Sequence, residues 1–145
     1  REFPYMKQPD EFNIGDQWDL VAHRLQIAEE DLETANLLMD CGKYRGANNR
    51  AYYSIYHTID AVLSVHGIAF KRHKDTLAYF NKNFVATEIF PRTIGRQIVQ
   101  SEEIRHASDY DPFYIASKVG TEKQIETAKL MIEYAKTYIK NQKSK

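Results

Sequence analysis

The amino-acid sequence predicts an all-α protein, a four- to five-helix up-and-down bundle. Apolar residues recur at steps of three and four along several long stretches, which is the spacing that places them on one face of an α-helix. No stretch alternates apolar and polar residues in the Val- and Ile-rich context that strands favour. The 145 residues are enough for one domain with its own core, so the helices are expected to pack as mostly antiparallel neighbours.

The first predicted helix covers residues 17–39 and has a single apolar stripe. The stripe consists of Val21, Leu25, Ala28, Leu32, Ala35 and Met39. Asp16 is the expected N-cap, because its carboxylate can accept a hydrogen bond from the free N–H groups of a first turn. Gly42 is the expected C-cap, because glycine adopts the left-handed conformation that commonly ends a helix.

The second predicted helix covers residues 44–66 and ends at Gly67 for the same reason. Its apolar face consists of Ala47, Ala51, Ile55, Ile59, Val62 and Leu63. Its other faces carry polar and aromatic side chains that need partners, which a helix built only to fill a core would not contain.

Two shorter helices are expected to follow. The third covers residues 73–84, after a loop over residues 67–71. The fourth has Pro91 in its first turn, where the missing N–H of proline costs nothing, and reaches residue 107. Pro112 then disfavours helical backbone at Asp111.

The last predicted helix begins near Thr121, and Thr121 and Gln124 have the spacing of a capping box. Its apolar stripe consists of Ile125, Ala128, Ile132, Ala135 and Ile139. The predicted domain therefore covers residues 16–141. It lies between an N-terminal segment, residues 1–15, that is disordered or derived from a tag, and a C-terminal tail of residues 142–145.

Charge and cysteine content limit the classes of function. Lys plus Arg and Asp plus Glu both number 20, so the net charge is zero, whereas a protein that coats nucleic acid by charge alone is usually strongly basic. The single cysteine, Cys41, cannot form an internal disulfide, which favours the reducing cytoplasm. No apolar run approaches the length of a membrane span, and no residues have the spacing of a metal site. We therefore expect a cytoplasmic protein with no cofactor, no metal and no membrane contact.

The second helix carries the first candidate site. Two rows of side chains run along it, since residues three or four apart share a face: Asn49, Tyr53 and Tyr56, and beside them Arg50, Ser54 and His57. The rows either form a polar network that braces the bundle, with Arg50 paired to a carboxylate on another helix, or line a groove or dimer cleft. The sequence leaves both interpretations open.

Two further segments carry titratable side chains. Arg105 and Asp109 are four residues apart near a helix end, so they pair with each other, or Asp109 pairs with Arg50 across the bundle. The simpler interpretation of Arg105 is a cation placed favourably against the helix dipole. The cationic run over residues 71–74 either holds a phosphate at a helix N-terminus or is a solvated loop.

The three segments resemble one subfamily of HEPN domains in their order and approximate spacing. That subfamily has an Asn-Arg-Ala-Tyr-Tyr helix often followed by Phe-His or Tyr-His, then a Lys-x-His loop, then an Arg-x-x-x-Asp-Tyr-Asp segment before the final helix. The matching residues are Asn49-Arg50-Ala51-Tyr52-Tyr53 with Tyr56-His57, then Lys71-Arg72-His73, then Arg105 with Asp109-Tyr110-Asp111. The resemblance extends over residues 17–140.

The resemblance implies a helical bundle, often a two-fold homodimer, that is one component of a toxin–antitoxin or defence pair with a nucleotidyltransferase-like partner. HEPN RNases carry an Arg, four to six further residues and a His near the start of the last long helix. Arg105 has no histidine at that spacing. Arg50 and His57 have the spacing, but on the second helix, where they belong to the Asn-Arg-Ala-Tyr-Tyr motif.

The first hypothesis of function is a metal-independent RNase, in which a base removes the proton of the RNA 2′-hydroxyl and a cation stabilises the phosphorane. The base is His57 or His73, and the cation is Arg50 or Arg105. The candidate catalytic residues are Arg105, Asp109 and His57. The candidate nucleotide- or RNA-binding residues are Asn49, Arg50, Tyr53, Lys71, His73 and Tyr110.

The second hypothesis is a non-catalytic module that binds a nucleotide or an RNA end, or docks a nucleotidyltransferase-like partner. Base stacking on tyrosine and guanidinium contacts with phosphate would supply the binding free energy. A third interpretation is a homodimeric helical scaffold in which every polar group is structural.

Overall fold

The computed structural model describes residues 14–145, which form five α-helices and no strand. The helices are α1 (Ile14–Asp40), α2 (Tyr44–Ser64), α3 (His73–Phe80), α4 (Arg92–Tyr110) and α5 (Lys118–Lys143). The predicted all-α bundle is therefore confirmed. None of these helices is long and apolar enough to cross a membrane. The N-terminal segment predicted for residues 1–15 lies outside the described residues apart from its last two.

The central helix of the bundle is α2, which packs against α1, α3, α4 and α5. The apolar face predicted for it is fully buried and consists of Ala47, Ala51, Ile55, Ile59, Val62 and Leu63. The same core includes Val21 from α1 and Met131 from α5. Burial of this apolar surface is the main favourable term in folding, and it also holds in place the polar side chains on the remaining faces of α2.

The turn between α1 and α2 is closed by Gly42, which has a φ of +74°. The Gly42 N–H donates to the carbonyl of Met39 at 3.0 Å, and the next N–H, of Lys43, donates to Leu38 at 2.8 Å. The predicted C-cap is confirmed. The predicted N-cap is wrong: α1 begins at Ile14, so Asp16 lies in its first turn, where a carboxylate still interacts favourably with the helix dipole.

The end of α2 is capped by a side chain from α1. The helix ends at Ser64, two residues before the predicted end, and the chain turns away at Gly67, which has a φ of +68°. The side-chain amide of Gln17 donates to the carbonyls of Ser64 and Val65 at 3.0 and 2.7 Å. These bonds satisfy carbonyls that a helix end otherwise leaves to water.

The third predicted helix is present, but only its first part is α-helical. After α3 the chain continues as a π-helical turn over Asn81–Val85, where the N–H of Ala86 donates to a carbonyl five residues back at 2.8 Å. The wide turn lies in an aromatic cluster. The rings of Phe80 and Phe84 stack with centroids 5.3 Å apart, and Phe90 meets Phe80 edge-on at 5.0 Å. Such turns are rare in helices and often mark functional regions.

Both ends of α4 differ from the prediction. Pro91 precedes the helix in extended backbone, with φ −57° and ψ 138°, instead of lying in its first turn. The helix continues to Tyr110, three residues beyond the predicted end. Asp111 is extended, with φ −100° and ψ 108°, as expected for the residue before Pro112. The proline therefore ends the helix, but its effect reaches back only one residue.

The start of α5 is capped by Ser117, whose hydroxyl accepts a hydrogen bond from the Gly120 N–H at 2.9 Å. The predicted capping box is wrong. Thr121 lies within the first turns of α5, and its hydroxyl donates to the carbonyl of Ser117 at 2.6 Å. Gln124 is buried. The helix begins at Lys118 because Ser117 supplies the cap one turn earlier than the sequence pattern indicated.

Candidate functional site

The candidate site is the polar and aromatic face of α2 together with the side chains that reach it from α1, α3 and α4. We call it the α2 polar face, and its members on that helix are Asn49, Arg50, Tyr52, Tyr53, Tyr56 and His57. The Ser54 of the predicted second row is fully buried instead, and its hydroxyl donates to the carbonyl of Ala28 on α1 at 2.7 Å. Ser54 is therefore a structural link between the two helices.

One end of the site centres on Asp31, which comes from α1. Its Oδ1 accepts a hydrogen bond from the Arg50 guanidinium at 3.0 Å, and its Oδ2 lies 3.8 Å from Nε2 of His57. The Asp31 side chain is only 13 % exposed. Arg50 also lies over the Tyr53 ring, 5.0 Å from its centroid. The predicted pairing of Arg50 with a carboxylate on another helix is therefore present, and it brings Arg50 and His57 to the same acid.

His73, the first residue of α3, lies among the tyrosines of α2. Its ring centroid is 4.0 Å from that of Tyr56 and 5.7 Å from that of Tyr53. Its Nδ1 is 3.2 Å from the Tyr52 hydroxyl. Burial raises the pKa of Tyr52, and the nearby Glu102 carboxylate raises it further. Tyr52 therefore stays a neutral phenol that can share a hydrogen bond with His73.

Both histidines of the site are neutral at pH 7. Burial lowers the pKa of His57 below its usual 6.5, although Asp31 and Asp60 act in the opposite direction. Burial also lowers the pKa of His73, and the positive charge of Arg105 adds to the effect. A neutral imidazole has a free nitrogen lone pair, which is what a general base requires.

The other end of the site centres on Arg105 of α4. Its guanidinium pairs with Glu102 at 3.0 Å and with Asp109 at 3.3 Å, and it lies over the Tyr52 ring at 5.0 Å. Asn49 joins the group by donating to the other oxygen of Asp109 at 3.4 Å. Of the two pairings that the sequence left open, Asp109 pairs with Arg105 and not with Arg50. The Arg105 side chain is 15 % exposed, so its orientation is fixed by these contacts.

Two of the predicted binding residues lie at the periphery. Lys71 is exposed in the loop before α3. Tyr110 is 69 % exposed at the end of α4, with its ring 4.7 Å from that of His106. The cationic run is thus divided: His73 points into the α2 polar face, while Arg72 is exposed and pairs with Asp75 at 3.0 Å.

Three residues of the site were missed in the sequence: Asp31, Tyr52 and Glu102. Tyr52 is part of the Asn-Arg-Ala-Tyr-Tyr motif, so the motif contained a signal for it. Asp31 and Glu102 are single acids in acidic stretches of α1 and α4, and nothing in their spacing distinguishes them from their neighbours. Across residues 14–145, no three His, Cys, Asp or Glu side chains are grouped so that they could hold a metal ion.

The protein is of the class of small all-α bundles that have a polar site beside the core. Its central helix presents imidazole, guanidinium and phenol groups on one face. A sequence model of the HEPN domain matches residues 21–138. The chain therefore belongs to the HEPN domain family, as the three motifs indicated.

The chain is similar to several curated proteins of archaea and bacteria. A "Putative toxin" of Methanocaldococcus jannaschii is 35 % identical over 86 residues, which cover 59 % of this chain and 64 % of the relative. A second "Putative toxin" of that organism is 26 % identical over 115 residues, which cover 79 % of this chain and 78 % of the relative. A "UPF0332 protein" of Thermotoga maritima is 29 % identical over 97 residues, which cover 67 % of this chain and 74 % of the relative.

Proposed function

We propose that this HEPN protein is the toxin-type component of a toxin–antitoxin or defence pair and that it cleaves RNA without a metal ion. The observation that carries the proposal is the arrangement of two neutral imidazoles, His57 and His73, between the guanidinium groups of Arg50 and Arg105. The names of the relatives support the toxin class. RNA is a suitable substrate because its own 2′-hydroxyl can cleave the chain once a base removes its proton.

His57 is the proposed general base, since it is neutral at pH 7 and its side chain is 29 % exposed. The 2′-hydroxyl gives its proton to His57, and the 2′-oxygen forms a bond to phosphorus. The bond from phosphorus to the 5′-oxygen then breaks, and the 5′-oxygen takes a proton from solvent. The products are a 2′,3′-cyclic phosphate and a 5′-hydroxyl end.

Arg105 is the proposed cation that stabilises the phosphorane. Because Arg105 and His57 lie at opposite ends of the site in one copy of the chain, we propose that the Arg105 of one copy meets the His57 of another across a cleft shared by a dimer. A guanidinium that is already oriented by its surroundings needs no rearrangement when charge develops in the transition state. Glu102 and Asp109 provide that orientation through their ion pairs with Arg105. In this scheme Asp109 acts through Arg105 and does not touch the substrate.

The remaining predicted residues are proposed to bind the RNA. Arg50 and His73 flank His57 and can contact a phosphate next to the one that is cleaved. The exposed side chains of Lys71 and Tyr110 can reach a further phosphate and a base. Asn49 and Tyr53 complete the binding residues on α2, and stacking of a base on a tyrosine contributes about 1–3 kcal/mol.

Incubation of the purified protein with total RNA and tRNA in EDTA tests the proposal. We expect cleavage by the wild type and a loss of about 100-fold or more in rate for His57→Asn, because general base catalysis contributes about that much. Arg105→Ala should lose activity as well. His23→Asn and Arg96→Ala are the matched controls, because His23 and Arg96 are exposed on α1 and α4.

Wild-type rates in folded His57→Asn and Arg105→Ala proteins would overturn the two residue assignments. A folded wild-type protein that cleaves no RNA under these conditions would overturn the RNase proposal itself.

The second candidate function is a non-catalytic module that binds a nucleotide or an RNA end. One observation favours it: both guanidinium groups of the site are already paired with carboxylates, Arg50 with Asp31 and Arg105 with Glu102 and Asp109. Their charges are largely balanced before any phosphate arrives. Calorimetric titration with mono- and trinucleotides tests this candidate. Heat of binding with the wild type but not with Arg50→Ala would support it, and no heat with either would exclude it.

The proposed partners are a second copy of the chain and a nucleotidyltransferase-like protein. The α4–α5 apolar surface consists of Phe113, Ile115 and Val119, three of the four most exposed large apolar side chains of the described residues. Exposed apolar groups of this kind commonly mark interfaces, and we propose that two copies associate through them. The single exposed cysteine, Cys41, fits the reducing cytoplasm as the place of action.

A further inference from the structure

The contact between α1 and α2 at Asp31 suggests a role for a residue that lies outside all three sequence motifs. Within residues 14–145, Asp31 is the one acid that forms an ion pair with both Arg50 and His57, through different oxygens. We propose that Asp31 is a positioning residue that couples these two side chains: it fixes the Arg50 guanidinium through Oδ1, and through Oδ2 it selects the tautomer of His57 and stabilises its imidazolium. This inference rests on the proposed function for its catalytic meaning.

The two oxygens of Asp31 differ in their partners. Oδ1 accepts a hydrogen bond from Arg50 at 3.0 Å. Oδ2 is buried and accepts no hydrogen bond within the described residues, while Nε2 of His57 lies 3.8 Å away. A buried carboxylate oxygen without a donor is costly, and the imidazole of His57 is in position to supply one. A small movement of the imidazole would close the distance to that of a hydrogen bond.

The proton of a neutral imidazole can lie on either ring nitrogen. A carboxylate next to Nε2 favours the tautomer that carries its proton there, because that N–H can point towards the negative charge. Nδ1 is then the nitrogen with the free lone pair, and it is the atom that takes the proton of the 2′-hydroxyl. The imidazolium that forms has its Nε2–H next to Oδ2, where the opposite charge stabilises it.

Four charged or titratable side chains act on His57. Asp31 reaches it from α1, Asp60 and Arg50 from α2 itself, and His73 from α3. Asp60 is engaged with Arg24, which lies 3.3 Å from it. Asp31 is engaged with Arg50 through Oδ1 only. Nε2 of His57 lies 3.8 Å from Oδ2 of Asp31, whereas His57 makes no ion pair with Asp60. Asp31 is therefore the acid placed to support the imidazolium, while Arg50 opposes it.

The test uses the full chain and measures the state of His57 directly. In wild-type protein labelled with ¹⁵N, the imidazole shifts should report the Nε2–H tautomer. Asp31→Asn should lower the pKa of His57, because the charge that supports the imidazolium is removed. Arg50→Gln should raise it, because an opposing cation is removed and Asp31 is released. Glu33→Gln, an exposed acid one half-turn further along α1, is the matched control and should leave the pKa unchanged.

The kinetic counterpart is the pH dependence of RNA cleavage. Asp31→Asn should lower kcat/KM at least about 10- to 100-fold, the loss known for acids that orient metal-bound histidines. It should also move the acid limb of the profile to lower pH, in step with the pKa of His57. A purely structural role would lower the activity without moving that limb.

The outcomes are distinguishable. The coupling would be overturned if neither Asp31→Asn nor Arg50→Gln shifted the pKa of His57. An Nδ1–H tautomer of His57 in the wild type would overturn it as well. Opposite pKa shifts in the two variants establish the coupling, whether or not RNA is cleaved. The same shifts in a protein that cleaves no RNA would contradict only the proposed RNase activity. Arg50→Gln keeps the coupling testable if Asp31→Asn fails to fold.

Discussion

His57 and His73 come from different helices but share one aromatic environment, and this environment gives the stability of the protein a defined pH dependence. Burial lowers the pKa of both side chains below the usual 6.5. The unfolded chain, in which both have ordinary values, therefore binds more protons than the folded chain in mildly acidic solution. Stability from this source is complete above about pH 6.5 and is lost as the pH falls through the folded-state pKa values.

We therefore expect the free energy of unfolding, measured with urea, to fall between pH 7.5 and pH 5. A His57→Asn/His73→Asn double variant should show a smaller fall, because Asn does not titrate. His23→Asn, which changes an exposed histidine, should follow the wild type. A double variant with the full wild-type dependence on pH would show that other groups are responsible.

The sequence indicated which side chains of α2 belong to the site, but not which side chains of other helices they contact. Asn49, Arg50 and His57 share faces of α2 because helical spacing fixes them, and that much was predictable. Which carboxylate meets which cation depends on how α1 and α4 pack on α2. Asp31 has acidic neighbours before and after it along α1, so only the packing selects it. The predicted roles in RNA binding and cleavage stay predictions.

The elements of the bundle depend on a few close contacts, and one of them joins α4 to the π-helical turn. A Cβ added at Gly95 would lie 2.8 Å from Cγ1 of Val85. Gly95 is buried in α4, almost three turns before Arg105, so the contact sets where α4 and its guanidinium lie. A clash here can be relieved only if the helix or the turn moves.

Gly95→Ala is expected to destabilise the protein by about 1–3 kcal/mol, the usual cost of overpacking a core. The sign of the change in the free energy of unfolding is informative, because a Gly→Ala change at an exposed helix position stabilises a protein by about 1 kcal/mol. Arg96→Ala, at the exposed neighbouring position, is the control and should change the urea midpoint little. A Gly95→Ala protein as stable as the wild type would mean that Val85 moves freely.

The N-cap of α5, Ser117, is expected to stabilise the protein. Ser117→Ala removes the hydroxyl that accepts from the Gly120 N–H, and we expect a loss of about 1 kcal/mol in the free energy of unfolding. Ser144→Ala, just past the other end of α5, should have little effect because it is exposed. Equal effects of the two changes would contradict the assignment of Ser117 as the cap.

The presence of each helix could be predicted from the sequence, but the residues at which the helices begin and end could not. All five predicted helices are present because their apolar stripes are long and regular. The capping box at Thr121 and Gln124 was wrong because Ser117, an equally good cap, comes one turn earlier. The π-helical turn was missed because residues 81–85 have helical spacing, and only the packing of Phe80, Phe84 and Phe90 distinguishes it.

The whole molecule has no net charge, so its recognition depends on local surfaces. The most exposed of these is the α4–α5 apolar surface, where Phe113 is 88 % exposed and Ile115 is 87 % exposed. Side chains so exposed contribute little to the stability of one copy of the chain. Their apolar area is available for association.

We expect the wild type to be a dimer by light scattering coupled to size-exclusion chromatography. A Phe113→Ser/Ile115→Ser variant should be a monomer with an unchanged far-UV circular dichroism spectrum and an unchanged urea midpoint at low protein concentration. Leu37→Ser, which changes another exposed apolar side chain on α1, is the control and should stay dimeric. A variant that stays dimeric would place the interface elsewhere.

The central position of α2 has a consequence for how the protein can be controlled. The helix that forms the middle of the core also carries the α2 polar face, so the site has no hinge or flap of its own along that helix. Its amide hydrogens should exchange with solvent only when the entire bundle opens. An inhibitor of this protein therefore cannot work by loosening the part of the site on α2 while the rest stays folded, and it has to cover that part from outside.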